Sequence, residues 1–295
     1  MTTFRVTQTM LANSSLRSMQ AGLGRLAAVQ EQLTTGRVLN RPSDSPTDTT
    51  SAMRIRSSLA QAEQHARNAD DAEGRLGLID TTLGSMTSQV RRARELVQQG
   101  VNGASGPAAR QALATEIDQL RESLLAEANT SYLQRPVFGG ITTGTGAYDA
   151  SGTWVGTAGA ISRQVGSDVT VRVDVAGPDV FGAGDDSLFA TLEAASTAVI
   201  GGDQAEMDAA LTKLAGHLDK MGATQAVVGS RQAQVERAVV ATGDAKLALI
   251  TRLSDVENVD LPRALVDLKL QEVAYQAALG ATARVTQPSL LDFLR

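Results

Sequence analysis

Apolar residues at alternating three- and four-residue spacing mark both ends of the chain. Near the start, Leu16, Met19, Leu23, Leu26 and Leu33 recur on such a seam, with Gln30 in the open slot. Near the end, Leu261, Leu265, Leu268, Glu272, Tyr275, Leu279 and Thr282 repeat the pattern. That spacing predicts two helical arms of coiled-coil type. Gly22 and Gly24 each cost roughly 1 kcal/mol of helix propensity relative to Ala, so the first arm needs a partner.

A break follows the first arm, Thr34-Thr-Gly-Arg-Val-Leu-Asn-Arg-Pro-Ser-Asp-Ser-Pro46. Gly36, Pro42 and Pro46 stop a helix, and Ser43, Asp44 and Asp48 are candidate caps for the next. A long helix is then expected from about Thr49 to Gln99. Its seam reads Ile55, Leu59, Ala62, Ala66, Ala69, Glu73, Leu76, Ile79, Leu83, Met86, Val90, Ala93 and Val97. Some 50 residues at about 1.5 Å each make a rod of roughly 75 Å, which needs a long partner. After a Gly-rich turn, Pro107 suits a helix start, and Leu113, Ile117, Leu120, Leu124 and Ala128 share one face of a third helix. Short turns between long helices predict antiparallel neighbours.

Residues 137–186 break the helical period and hold 11 of the 27 Gly. Val169, Val171, Val173 and Val175 alternate with polar residues, as a strand requires, and Tyr148 to Val155 is a second strand candidate. So thin a β element must lean on helices or neighbours for its core. Helical pattern resumes at Asp186, with Leu188, Leu192, Ala195 and Val199, and stops at Gly201-Gly202. A second long rod begins near Asp203 and carries Met207, Leu211, Leu214, Leu218, Met221, Val228, Val235, Val239, Thr242, Leu249, Leu253 and Val256. The second break, Ser254 to Pro262, offers Asp260 as the cap of the last helix.

The layout is nearly palindromic: arm, break, rod, insert, rod, break, arm. It predicts a mainly α protein with a small β insertion, paired terminal coiled-coil arms and long antiparallel rods. The expected division is 1–40 with 258–295 as arms, 41–136 with 187–257 as rods, and 137–186 as the insertion.

Composition narrows the chemistry. The 295 residues include no Cys, two His and one Trp, with 3% aromatics. Thiol catalysis and Cys-based zinc sites are therefore excluded, and a His cluster or triad is not expected. Neither His65 nor His217 has a partner at a recognisable spacing, and no loop has calcium-site spacing around Asp44, Asp48, Asp70 or Asp71. No catalytic, cofactor or metal site is expected. The net charge of −5 gives nucleic-acid binding no support. The first forty residues carry four Arg against one Glu, so the acidic excess lies further along. No apolar run is long enough to span a membrane, and the start has no apolar core of a cleaved signal.

Several segments carry a resemblance. The break from Thr34 to Pro46 resembles the segment with Pro-Ser-Asp-x-Pro near the start of bacterial axial flagellar proteins. Asn129-Thr130 followed by Phe138-Gly-Gly140, Val228-Gly-Ser-Arg-Gln232 and Leu253-Ser-Asp-Val-Glu-Asn-Val-Asp260 are similar to further segments of that family. So are Tyr275-Gln-Ala-Ala-Leu279 and Ser289-Leu-Leu-Asp-Phe-Leu294. Pro42, Pro46 and the Leu291-Asp-Phe-Leu294 ending match the hook–filament junction branch rather than flagellin. Ser45 and Ala233 depart from the family pattern, which more often has Asp and Asn there.

The resemblance implies a flagellin-like, extracellular structural protein that joins hook to filament and is exported without a cleaved signal. Its implied partners are further copies of itself, hook-associated protein 1, flagellin, an export chaperone and the type III export apparatus. The implied assembly surface is Leu16, Met19, Leu23, Leu26, Leu33, Leu265, Leu268, Tyr275, Leu279, Leu290, Leu291, Phe293 and Leu294. The arm–rod joint is Gly36, Pro42, Ser43, Asp44, Pro46, Asp260 and Pro262. Two rival readings are a filament-forming flagellin variant and a cytoplasmic coiled-coil adaptor.

Overall fold

The computed structural model describes residues 8–102 and 106–286. Its long elements are α1 (Gln8–Thr35), α2 (Pro46–Val101), α3 (Pro107–Ala128), α5 (Leu188–Gly201), α6 (Gln204–Glu257) and α7 (Leu261–Thr286). Between α3 and α5 lie two short antiparallel pairs and a one-turn helix. Strand β1 (Ser131–Tyr132) pairs with β2 (Arg135–Pro136), β3 (Ser162–Gln164) with β4 (Thr170–Arg172), and α4 spans Gly177–Phe181. The chain forms two compact units, residues 1–60 with 247–295 and residues 61–246. Both α2 and α6 contribute to each.

The unit of residues 61–246 holds a continuous core. From α2 it takes Ala69, Ala72, Leu76, Ile79, Leu83, Met86, Val90, Ala93 and Val97, all inaccessible to solvent. The three–four period holds throughout, but Ala72 occupies the slot expected for Glu73, which is exposed. A charged side chain cannot be buried unpaired, so the seam takes the small neighbour instead. Helix α6 runs antiparallel to α2: Gln225 donates to Asp80 at 3.1 Å, and Lys246 pairs with Glu63 at 3.5 Å. Helix α3 also runs back along α2, where Arg92 grips Glu116 at 2.8 Å and Ser85 donates to Glu127 at 2.8 Å. On α6 the buried seam passes through Ala210, Leu214, His217 and Met221, with Leu211 and Leu218 only partly covered.

The Gly-rich stretch packs into this same core. Phe138, Tyr148, Phe181 and Phe189 form one aromatic cluster, with Phe138–Phe181 and Tyr148–Phe189 edge-to-face at 5.1 Å. The expected strand over Tyr148–Val155 is instead a tight turn. It is closed by a single bridge between Tyr148 and Trp154 and held by Asp149, which accepts from the Ser151 and Thr153 backbones. The expected strand at Val169–Val175 shortens to β4. Val171, Val173 and Val175 are buried, whereas Val169 is exposed. Asp174, read as the polar side of that strand, is fully buried and accepts two bonds from Arg172 and one from the Ile161 amide. Gly140 has φ +66°, and a Cβ there would run into the Thr157 carbonyl, which explains the paired glycines after Phe138.

Helix ends follow local chemistry. Ser187, not Asp186, caps α5 by accepting from the Ala190 amide, and Gly202 closes it in the left-handed conformation. Asp203 caps α6 through the Ala205 and Glu206 amides.

Candidate assembly surface

The unit of residues 1–60 and 247–295 is organised around the pair α1 and α7. The pair is antiparallel: Arg25 donates to Gln271 at 3.4 Å, and Gly22 faces the Tyr275 ring. Apart from Glu31, Gln32 and Glu272, the covered residues among the described side chains are Ser15, Met19, Gly22, Leu26, Val29 and Leu33 on α1, and Ala264, Leu268, Gln271, Tyr275, Ala278 and Thr282 on α7. Both sets step four, three, four, three, four.

Half of each expected seam is thus displaced by one residue. Met19, Leu26, Leu33, Leu268 and Tyr275 face the partner arm. The other line of each seam is taken by Ser15, Gly22 and Val29, and by Ala264, Gln271 and Ala278. Their neighbours Leu16, Leu23, Leu265 and Leu279 turn outward, 56%, 52%, 54% and 42% exposed. Four of the six residues that take the other line, Ser15, Gly22, Ala264 and Ala278, are small, which leaves room for the two helices to approach. Reading the seam from leucines alone hid it; small residues at the same spacing were its signal. Val266, Leu270 and Val273 add to the outward apolar surface of α7. Leu290, Leu291, Phe293 and Leu294 lie outside the described residues.

The joint is built from the two breaks. Gly36, at φ +69°, ends α1 in a conformation that suits Gly. The chain then crosses the other break: the Val38 amide donates to the Glu257 carbonyl at 2.8 Å, and the Val259 amide to that of Gly36 at 3.0 Å. Pro42 and Ser43 form the turn that follows. Asp44 does not cap α2; it accepts from the Asn40 and Arg41 amides at 3.1 and 2.7 Å. The cap is Ser45, whose hydroxyl donates to the Asp48 carboxylate at 2.7 Å and accepts from the Asp48 amide, with Pro46 opening the helix. Ser was available in the sequence as a cap one residue further on. Asp260 caps α7 through the Arg263 amide, with Pro262 in the first turn. A contact not read from sequence completes the joint: the buried Glu257 carboxylate meets Arg56 at 2.8 Å.

Among the described residues, no helix is long and apolar enough to cross a membrane, and no His, Asp and Glu gather as a metal site.

Helical arms joined by breaks to long helices give a flagellin-like fold. The bacterial flagellin N-terminal helical region matches residues 6–143. The flagellar hook-associated protein 3 of Escherichia coli (strain K12) is 26% identical over 302 residues, 94% of this chain and 95% of that protein. A putative flagellar hook-associated protein from Vibrio parahaemolyticus shares the fold, with a TM-score of 0.68 at 20% identity, over 73% of this chain and 100% of that one. The flagellar junction protein FlgL from Legionella pneumophila does so with a TM-score of 0.59 at 16% identity, over 70% of this chain and 99% of that one. Over nearly its whole length the chain is thus similar to flagellar hook-associated protein 3.

Proposed function

We propose that this chain is a structural piece of the bacterial flagellum, the junction that connects the hook to the flagellin filament. The observation that carries the reading is the pair of terminal arms with leucines on their outer faces, in a chain that matches hook-associated protein 3 over nearly its whole length. Filament proteins match either half of the chain or less, or most of it at lower identity than hook-associated protein 3 does, so a filament-forming flagellin is the less favoured reading, and a cytoplasmic adaptor less still.

The mechanism is geometric. The inner lines of α1 and α7 hold the arms together. The outer lines, Leu16 and Leu23 with Leu265 and Leu279, pack against neighbouring subunits. Those neighbours are other copies in a ring, hook-associated protein 1 on the hook side and flagellin on the filament side. The arms form the innermost part of the assembly, the long helices the next layer, and 137–186 its outward part. Export runs through the type III apparatus with a chaperone and without a cleaved signal. The chain performs no catalysis.

Labelled electron microscopy of flagella tests this. The label is expected as one band at the hook–filament boundary. Label along the filament would favour the flagellin reading, and absence from flagella would sink both. Deleting residues 262–295 is expected to leave a soluble monomer that no longer enters the flagellum.

A further inference from the structure

The joint carries a second surface, separate from the apolar stripes. A hollow of about 240 Å3 opens there, with Arg37, Arg41, Arg56, Leu39, Met53 and Glu257 in its wall. Two of the three guanidinium groups have counter-ions: Arg56 holds Glu257 at 2.8 Å, and Arg41 holds Glu31 at 3.2 Å. Arg37 has no ion pair among the described residues. Of the carboxylates only Glu257 lines the hollow, so its wall carries an excess of positive charge. Leu39 and Met53 supply an apolar side against which a methylene stem can lie.

We infer that this hollow receives an acidic side chain of a second copy of the chain. Its volume suits one side chain and not a helix. An unpaired guanidinium beside apolar wall is the arrangement that binds a carboxylate through paired, charge-assisted hydrogen bonds. A second copy is the matching partner by charge. The chain is net acidic, and Asp70, Glu73, Asp118 and Asp208 are exposed and without an ion pair among the described residues. The hollow also lies in the same compact unit as the outward leucines, and the inference rests on the junction reading, which sets copies side by side. The apolar stripes are tolerant of sliding; a charged side chain in a one-residue hollow fixes register.

The test uses the full chain in cells. Met53, exposed at the rim, is replaced by the photo-crosslinking residue p-benzoylphenylalanine, and isolated flagella are irradiated. The expected product has twice the chain's mass, and its linked peptide contains an Asp or Glu of a second copy. Arg37→Glu is expected to lower that product roughly tenfold or more, in line with the cost of opposing like charges at an interface. Arg37→Lys is expected to retain most of it, which separates lost charge from lost folding. A product with another flagellar protein, or a yield unaffected by Arg37→Glu, overturns the inference. So does the presence of the chain at the junction with no product, which leaves the junction reading standing. Absence of the chain from flagella overturns both.

Discussion

The arm pair and the helical unit use the same three–four period and obtain different results from it. In residues 61–246 the seam of α2 is closed by α3, α5, α6 and the Gly-rich stretch, and a run from Ala69 to Val97 is fully dry. In the arms each helix has one neighbour, and the described seam residues other than Ala264 remain partly accessible. Two helices alone can cover only a narrow stripe of each other. The arms nevertheless carry large apolar residues beyond that stripe. A chain that needed only a hairpin of helices would place polar residues there. On the proposed reading, the outward leucines are the surface that other chains bury.

The first way to break this comparison is to remove one side chain from each region. Phe181→Ala opens a hole among Phe138, Tyr148 and Phe189 and is expected to cost about 3–5 kcal/mol. Leu26→Ala, on the partly covered seam of α1, is expected to cost about 1–2 kcal/mol. Urea denaturation of the full chain measures both. Equal losses would mean that the arms hold a core as complete as that of the other unit.

The clasp between the two breaks comes next. Arg56→Ala leaves Glu257 buried without its cation and is expected to cost about 1–2 kcal/mol, moderated because Arg56 itself is about half exposed. Adding Glu257→Gln should restore part of the loss, since a neutral amide tolerates that site better. Amide exchange at Val38 and Val259, whose bonds hold the crossing, is the local readout. Unchanged protection there would show that backbone pairing alone secures the joint.

Much of this was legible in the sequence because it rests on strong local signals. Gly36 and Pro46 mark helix boundaries, the second rod begins near Asp203, Asp260 caps the last helix as read, and the glycine density of 137–186 marks the departure from helix. What was hidden depends on distance in space. The one-residue displacement of the arm seam follows from how closely α1 and α7 approach, which small residues decide and leucine spacing cannot reveal. Asp174 appeared as an ordinary strand polar position, yet its burial is made tolerable by Arg172, two residues away but on the same face. Aromatics are only 3% of the chain, yet four of them, distant in sequence, meet in one cluster. The clasp of Arg56 and Glu257 joins residues about two hundred positions apart, beyond any local pattern.

His217 sharpens the comparison through pH, because only the helical unit buries an imidazole. It sits in the α6 seam, against the Thr191 hydroxyl at 3.4 Å. Burial, seconded by Lys220, lowers its pKa below the ordinary 6.5. Above pH 6.5 the ring is neutral in folded and unfolded chains, so it makes no difference. Below 6.5 the unfolded chain takes up the proton first, and stability falls as pH drops toward the lower folded value. Comparing urea midpoints at about pH 7.5 and about pH 5.5 is expected to show this loss. His217→Leu should reduce it, and an unchanged pH dependence in that variant would place the acid sensitivity elsewhere.

The smallest expected effect on stability is also the most diagnostic. Leu16→Gln, Leu23→Gln and Leu265→Gln change side chains that are about half exposed in the isolated chain. Gln and Leu have similar helix propensity, so each change is expected to shift monomer stability by no more than about 0.5 kcal/mol. Neighbouring subunits that bury those leucines would instead meet a polar amide, and the loss recurs at every copy in a ring. The triple variant is therefore expected to fold and be exported like the parent while failing to join hook to filament, scored by counting filamented cells and by recovering the protein from the medium. Met19→Gln, on the inner line, should do the reverse in degree, weakening the arm pair in the monomer before assembly is reached. If the triple variant assembles normally, the outward leucines are incidental, and the distinction between a closed helical unit and an open arm pair loses its functional meaning.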